Sequence, residues 1–267
     1  MLAREPSRAR HERDADRHAA LTVDDVGDPG GTPVVYLHGG GDSRLSRHPD
    51  DGIAAGLGIR LVAVDRCGPP VTGRTLLGYA DELLALLDGL DVWHFGVVGW
   101  SAGGPHALAV AAAAPERVTR VCLVASMPVP DGLRAMPSPV RTAMRLARIS
   151  PRLAERGLER WGRTVPPPTG AASTDAAYAE GRLESFRGGA GWLARELAYL
   201  GRPWGFGLAD VQAPVALWWG KQDRVTPPSI ARDFARRLPD SELHLVDGTH
   251  QLLFARWREI LAAAAQT

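Results

Sequence analysis

Lysine is almost absent from this chain: Lys221 stands alone among 31 basic residues, and the rest are arginine. Beside abundant alanine, 30 glycines and 21 prolines, that bias reads as the mark of a GC-rich genome and carries little functional weight. An excess of one charge is missing too. The 31 basic and 30 acidic side chains leave a net charge of +1, so nothing global points to nucleic acid or an anionic membrane as partner. Cysteine is scarce, and Cys67 and Cys122 have neither metal-ligand spacing nor the makings of a disulfide framework. Cys122 falls in the apolar run RVCLVAS and reads as an inert core thiol, whereas Cys67 falls in an expected loop with no base in view to activate it. No metal or cofactor is implied. Apolar runs long enough to cross a bilayer are lacking, and the N-terminal stretch MLAREPSRARHERDADRH is densely charged without an apolar centre. The expectation is a flexible charged leader over residues 1–20, no signal peptide, no membrane partner and a cytoplasmic protein.

What is present is an α/β rhythm. Short β-branched runs at Pro33 to Gly39, Ile59 to Asp65, His94 to Gly99 and Arg117 to Ser126 alternate with segments of helical leucine and alanine spacing. Continuous apolar strands between helices indicate a doubly wound, mostly parallel sheet covered on both faces. From residue 127 to 207 the strands stop, and helical patterns punctuated by proline take over. This block reads as a helical cap inserted into a core of residues 21–126 and 208–267. It carries more arginine than acid, which reads mainly as solvated helix faces. Strand rhythm resumes at Ala213 to Gly220 and Glu242 to Gly248, and HQLLFARWREILAAAA closes the chain as a helix.

Within this rhythm, Gly99-Trp100-Ser101-Ala102-Gly103 lies between a strand and a helix. A serine held on a strained strand-to-helix turn needs small neighbours two positions away, because strand and helix approach closely there. Such a turn lifts the hydroxyl out at the carboxyl end of the sheet, where open parallel sheets bind ligands. A serine capping an ordinary helix explains the motif too. A phosphate-binding loop fits less well, since neither G-x-G-x-x-G nor a Gly-Lys-Ser/Thr run is present.

A serine hydroxyl attacks only when a base removes its proton. His250, after the last strand and before the closing helix, is the expected base. His11 and His18 lie in the leader, His94, His106 and His244 read as packing or surface, and His38 reads as ordering the glycine run behind it. The base needs a carboxylate to fix its tautomer. Asp223, in WWGKQDRVTPP, follows a strand end on the same rim, with Asp247 as its rival. The strand ending Ser126-Met127-Pro128 offers no acid. Donors for a developing oxyanion are expected from the backbone N–H of Ala102 and from the glycine run, at Gly40 with help from Gly41.

The order Ser101, Asp223, His250, with the blocks VGDPGGTPVVYLHGGGDSRL, VVGWSAGGPHALAVAAAAPERV, APVALWWGKQDRVTPP and DGTHQLL, resembles the α/β-hydrolase fold superfamily from about residue 21 to 264. The capped serine hydrolases common in actinobacteria are the nearest subgroup. HGGG is shared with hormone-sensitive-lipase-like esterases, but those carry their cap before the core. The resemblance implies Ser101 as nucleophile, His250 as base, Asp223 as its partner, and Gly40 and Ala102 as oxyanion hole. It implies hydrolysis of a carboxylic ester or lactone, or a thioester, of a small, mostly apolar molecule. A biosynthetic or ligand-binding role (cyclase, C–C bond hydrolase or non-catalytic receptor) is the alternative. Tryptophans 100, 192, 204, 218 and 219 are candidate pocket walls. Three positions depart from the family pattern: the run Asp65-Arg66-Cys67-Gly68-Pro69-Pro70-Val71-Thr72-Gly73 is shortened and proline-stiffened, Thr249 stands where a glycine is usual, and the first β-hairpin is poorly defined.

Overall fold

The computed structural model describes residues 21–66, 75–164 and 166–266. The expected leader and the 67–73 segment therefore lie outside the described residues. Seven strands form one sheet: β1 (Val23–Gly27), β2 (Thr32–Leu37), β3 (Ile59–Val64), β4 (Phe95–Trp100), β5 (Val118–Val124), β6 (Val215–Gly220) and β7 (Ser241–Val246). Their order is β1-β3-β2-β4-β5-β6-β7, and every pairing is parallel except β1 with β3. β1, sequence VDDVG, has no apolar run to announce it. Backbone pairing to β3 makes it a strand, and the cross-strand ion pair of Arg60 with Asp25, at 2.7 Å, reinforces it.

The helices are α1 (Gly52–Gly56), α2 (Leu76–Gly89), α3 (Gly103–Ala113), α4 (Ser138–Ile149), α5 (Pro151–Gly162), α6 (Ala172–Phe186), α7 (Gly191–Leu200), α8 (Pro228–Arg237), α9 (Leu252–Ala255) and α10 (Trp257–Ala264). Val35, Leu37, Val62, Val97, Leu123 and Leu217 point to the face covered by α2, α3 and α8. Their neighbours Val34, Tyr36, Leu61, Val98, Val124 and Ala216 point to the face covered by α1 and α10. Alternate side chains are thus buried on both faces, which is why these strands read as unbroken apolar runs. The closing segment differs from the single helix expected: Arg256 leaves helical geometry (φ −112°), so that Leu252, Leu253 and Phe254 can all be buried along with Trp257, Ile260 and Leu261.

Helices α4 to α7 all lie between β5 and β6. The chain leaves β2 for β3 on one side and β4 for β5 on the other. The carboxyl ends of β2 and β4, paired as Leu37 with Gly99, therefore flank a topological switch point, where loops diverge and leave a crevice.

Candidate active site

Ser101 sits at that switch point with φ +52°, a left-handed conformation that costs a non-glycine residue about 1–3 kcal/mol. Its surroundings hold it there. The Ser101 N–H donates to the Val124 carbonyl at 2.9 Å, and its own carbonyl accepts from Gly104 N–H at 3.1 Å and Met127 N–H at 3.0 Å. Gly104 permits the close approach: a Cβ there would collide with Ser126 at the end of β5. A capping role does not describe this serine, because α3 has no side-chain cap and Ser101 Oγ meets His250 Nε2 at 3.0 Å.

His250 Nδ1 lies 2.9 Å from Asp223 Oδ2. The Asp223 side chain is buried in the β6–α8 loop, where Oδ1 accepts from the N–H groups of Val225 at 2.8 Å and Thr226 at 2.9 Å. Thr226 Oγ1 adds a contact to Oδ2 at 2.8 Å. Those donors fix the direction of the side chain. Beneath the imidazole, Trp100 Nε1 donates to the His250 carbonyl at 3.1 Å, and the two ring centroids are 5.8 Å apart. The structure thus brings Ser101, His250 and Asp223 into one chain of contacts. It does not bring in Asp247, which is exposed and pairs with Lys221 at 3.2 Å. Thr249 carries its hydroxyl to Gln251 Oε1 at 3.1 Å, without displacing His250.

The two expected oxyanion donors are neighbours: a Cβ on Gly40 would lie 3.3 Å from that of Ala102. Neither N–H has an acceptor among the described residues. Gly41, at φ +75°, lies under the Trp161 ring, so α5 closes over the loop. His38 orders the loop as expected. Burial first, and then the neighbouring Arg66 charge, hold its pKa well below the ordinary histidine value, so the ring is neutral. Its Nε2 accepts from Arg66 N–H at 3.0 Å, which leaves Nδ1–H to donate to the Gly39 carbonyl at 2.8 Å. The Arg66 guanidinium also donates to the His38 carbonyl, and to the Gly39 carbonyl at 3.2 Å.

Other expected residues lie elsewhere. His94 is exposed, His244 stacks on Trp218 with ring centroids 4.3 Å apart, and Cys122 is buried, its thiol pushed up to about 12 by burial. Trp100, Trp204, Trp218 and Trp219 belong to the core, Trp100 also lying against His250, and Trp192 stands near His38. Sequence reasoning missed Trp161 and Leu193 beside the glycine loop, and missed Glu196, which pairs with Arg66 at 3.0 Å. A signal for Glu196 exists: it shares the apolar stripe of Leu193, Leu197 and Leu200 on α7, where a lone carboxylate demands a buried partner.

No helix among the described residues is long and apolar enough to cross a membrane, and no group of three or more His, Cys, Asp or Glu there could hold a metal ion. The family model for the alpha/beta hydrolase fold matches residues 32–255. The chain is 31% identical over 242 residues to a pimeloyl-(acyl-carrier protein) methyl ester esterase of Aromatoleum aromaticum, covering 80% of this chain and 88% of that protein. It is 25% identical over 255 residues to a 2-hydroxy-6-oxononadienedioate/2-hydroxy-6-oxononatrienedioate hydrolase of Cupriavidus pinatubonensis, covering 87% and 84% respectively. A shorter match, 41% identical over 110 residues, takes in 38% of this chain and spans only 29% of the dihydrolipoyllysine-residue acetyltransferase component of the acetoin cleaving system of Pseudomonas putida. Among solved structures, a thermophilic esterase from Thermogutta terrifontis superposes with a TM-score of 0.70 at 20% identity, covering 91% of this chain and 90% of that one. The chain belongs to the alpha/beta hydrolase fold family and is an enzyme of that fold.

Proposed function

We propose that this enzyme hydrolyses a carboxylic ester, lactone or thioester of a small, mostly apolar molecule through an acyl-serine intermediate. The observation that carries the reading is the run Ser101 Oγ, His250 Nε2, His250 Nδ1, Asp223 Oδ2, with contacts of 3.0 and 2.9 Å. His250 takes the Ser101 proton as Oγ attacks the carbonyl carbon. Asp223 holds the imidazole in the tautomer that can accept it and stabilises the imidazolium. The negative charge that gathers on the carbonyl oxygen falls to the N–H groups of Gly40 and Ala102, each such donor being worth about 10²–10³ in rate. His250 then protonates the leaving alkoxide or thiolate, and water, activated by the same base, releases the acid. Residues 127–207 serve as a cap over this site, and Trp161, Phe186 and Leu193 bring apolar surface to the glycine loop.

The relative from Aromatoleum, named for methyl ester hydrolysis, favours the ester reading. The relative from Cupriavidus, named for hydrolysis of a hydroxy-oxo dicarboxylate, favours a second one, C–C bond hydrolysis on the same residues. A fluorophosphonate probe followed by peptide mass spectrometry tests both at their common step. A single adduct at Ser101 is expected, absent in Ser101→Ala and slowed roughly 10⁴-fold or more in His250→Ala. Folded wild-type protein that takes no adduct at Ser101 overturns the proposal. Turnover of an ester panel against a dienedioate of this type then separates the two bonds.

A further inference from the structure

We infer that Glu196, on α7, positions the Gly40 donor of the oxyanion hole through Arg66. The inference rests on the functional reading above and concerns residues that contact neither Ser101 nor His250. Arg66 and Glu196 form a forked pair, Nε to Oε1 at 3.0 Å and Nη2 to Oε2 at 3.2 Å, with side chains 0% and 3% exposed. That grip orients the guanidinium whose remaining N–H groups hold the carbonyls of His38 and Gly39. The Gly39 carbonyl and the Gly40 N–H belong to one planar trans peptide, so they point in opposite directions. Fixing the carbonyl on Arg66 and His38 therefore fixes where the Gly40 N–H points.

His106 packs against the same stretch of α7. Its Nε2 lies 3.6 Å from Glu196 Oε1 and 2.9 Å from the Tyr199 hydroxyl, and its Nδ1 lies 2.8 Å from the Ala102 carbonyl. Tyr199, three residues after Glu196 on α7, thus holds the imidazole that braces the first residue after Ser101. Leu193, one turn before Glu196 on α7, meets Gly40 directly, with a Cβ there 3.8 Å from Leu193 Cδ1.

Glu196→Gln keeps the shape and removes the charge. Because an oxyanion donor acts mainly in the transition state, kcat is expected to fall about 10- to 100-fold with KM within twofold of wild type. Affinity for a trifluoromethyl ketone, which forms a tetrahedral adduct on serine, should fall in parallel, and the Gly40 amide resonance should shift. The midpoint of the pH–rate profile should stay where it is. Unchanged kcat and an unchanged Gly40 amide shift in folded Glu196→Gln overturn the inference, as does a rise in KM alone. If that variant does not fold, Glu196→Asp keeps the charge but retracts it, and carries the same expectations and the same failures. The amide shift needs no catalysis, so the positioning role can fail or stand apart from the hydrolase reading.

At the far end of α7 the insertion gathers positive charge. Gly201, about 12 Å along the axis from Leu193 at 1.5 Å per residue, helps to line a cavity of about 510 Å³ with Leu133, Met144, Arg134, Arg141, Arg145 and Arg148. The last three arginines are spaced i, i+4, i+7 on α4, where like charges repel. No carboxylate lines the cavity, and none of the four arginines forms an ion pair among the described residues. Arg141 is fixed by the carbonyls of Arg134 and Met136, at 3.0 and 2.8 Å. The geometry points to a site for a phosphate-bearing small molecule, an organic di- or polyphosphate, which would relieve the repulsion and suit forked guanidinium donors. Calorimetric titration with pyrophosphate at low salt tests it. Arg145→Glu should weaken binding at least about tenfold, while Arg156→Glu, the same charge change at an exposed position of α5, should weaken it less than twofold. Equal losses in the two variants, or no binding by the wild-type protein, overturn the assignment.

Discussion

Ser101 holds a backbone conformation that glycine would occupy at lower cost. At φ +52° its Cβ crowds the peptide, and the hydrogen bonds to Val124, Gly104 and Met127 leave it no escape. Ser101→Gly should therefore be more stable than Ser101→Ala by about 1 kcal/mol, even after the larger entropy of an unfolded glycine is counted. Thermal denaturation of the two variants measures the difference. Equal melting temperatures would show that the turn is not strained. The same position shows what the sequence makes legible. Glycines on both sides and a strand before it mark Ser101 as a turn residue, and a histidine and an aspartate after later strands complete the set. Asp223 is preferred over Asp247 from its place after a strand end on the same rim, and in space Asp247 is engaged with Lys221 instead.

Elements were legible in proportion to how much of their surface is buried. β2 through β6 announce themselves because both faces of the sheet are covered. β1 does not, since its pattern, half-buried throughout, carries two aspartates whose partners come from β3 and from Arg44. The helices of the insertion are legible as helices from their periodicity. Their inward polar residues are not, because a glutamate on α7 or an arginine on α6 gains a meaning only once the partner across the gap is known. Arg182 is such a case, lying 4.2 Å over the Trp161 ring and 3.9 Å from Asp42. Arg66 is another, forked to a residue 130 positions away.

The molecule as a whole encloses more ionisable groups than its near-neutral charge suggests. Asp42 is buried between the glycine loop and α6, and burial pushes its carboxyl up to about 7, outweighing the nearby Arg182 and Arg66 charges, while Glu196 adds to the rise. A carboxyl whose folded value lies above its ordinary 3.8 contributes stability that is full below about pH 4 and is lost as the pH climbs toward 7. Asp42→Asn removes that loss. Its melting temperature relative to wild type should therefore be higher at pH 8 than at pH 5, as read by thermal denaturation at both values. A difference that does not change with pH would place the Asp42 charge in a better-solvated setting than the burial implies.

The strand order has one more consequence. Ser101 meets a histidine 149 positions later, Trp100 bonds to the same residue, and the Arg66–Glu196 pair spans 130 positions. Loop closure over such distances comes late and with the sheet, since no local segment holds the partners of any of these pairs together. During synthesis Ser101 emerges long before His250. On the proposed mechanism a nascent or truncated chain that ends before β7 carries an unactivated serine, so the appearance of activity would mark the moment at which the last strand takes its place.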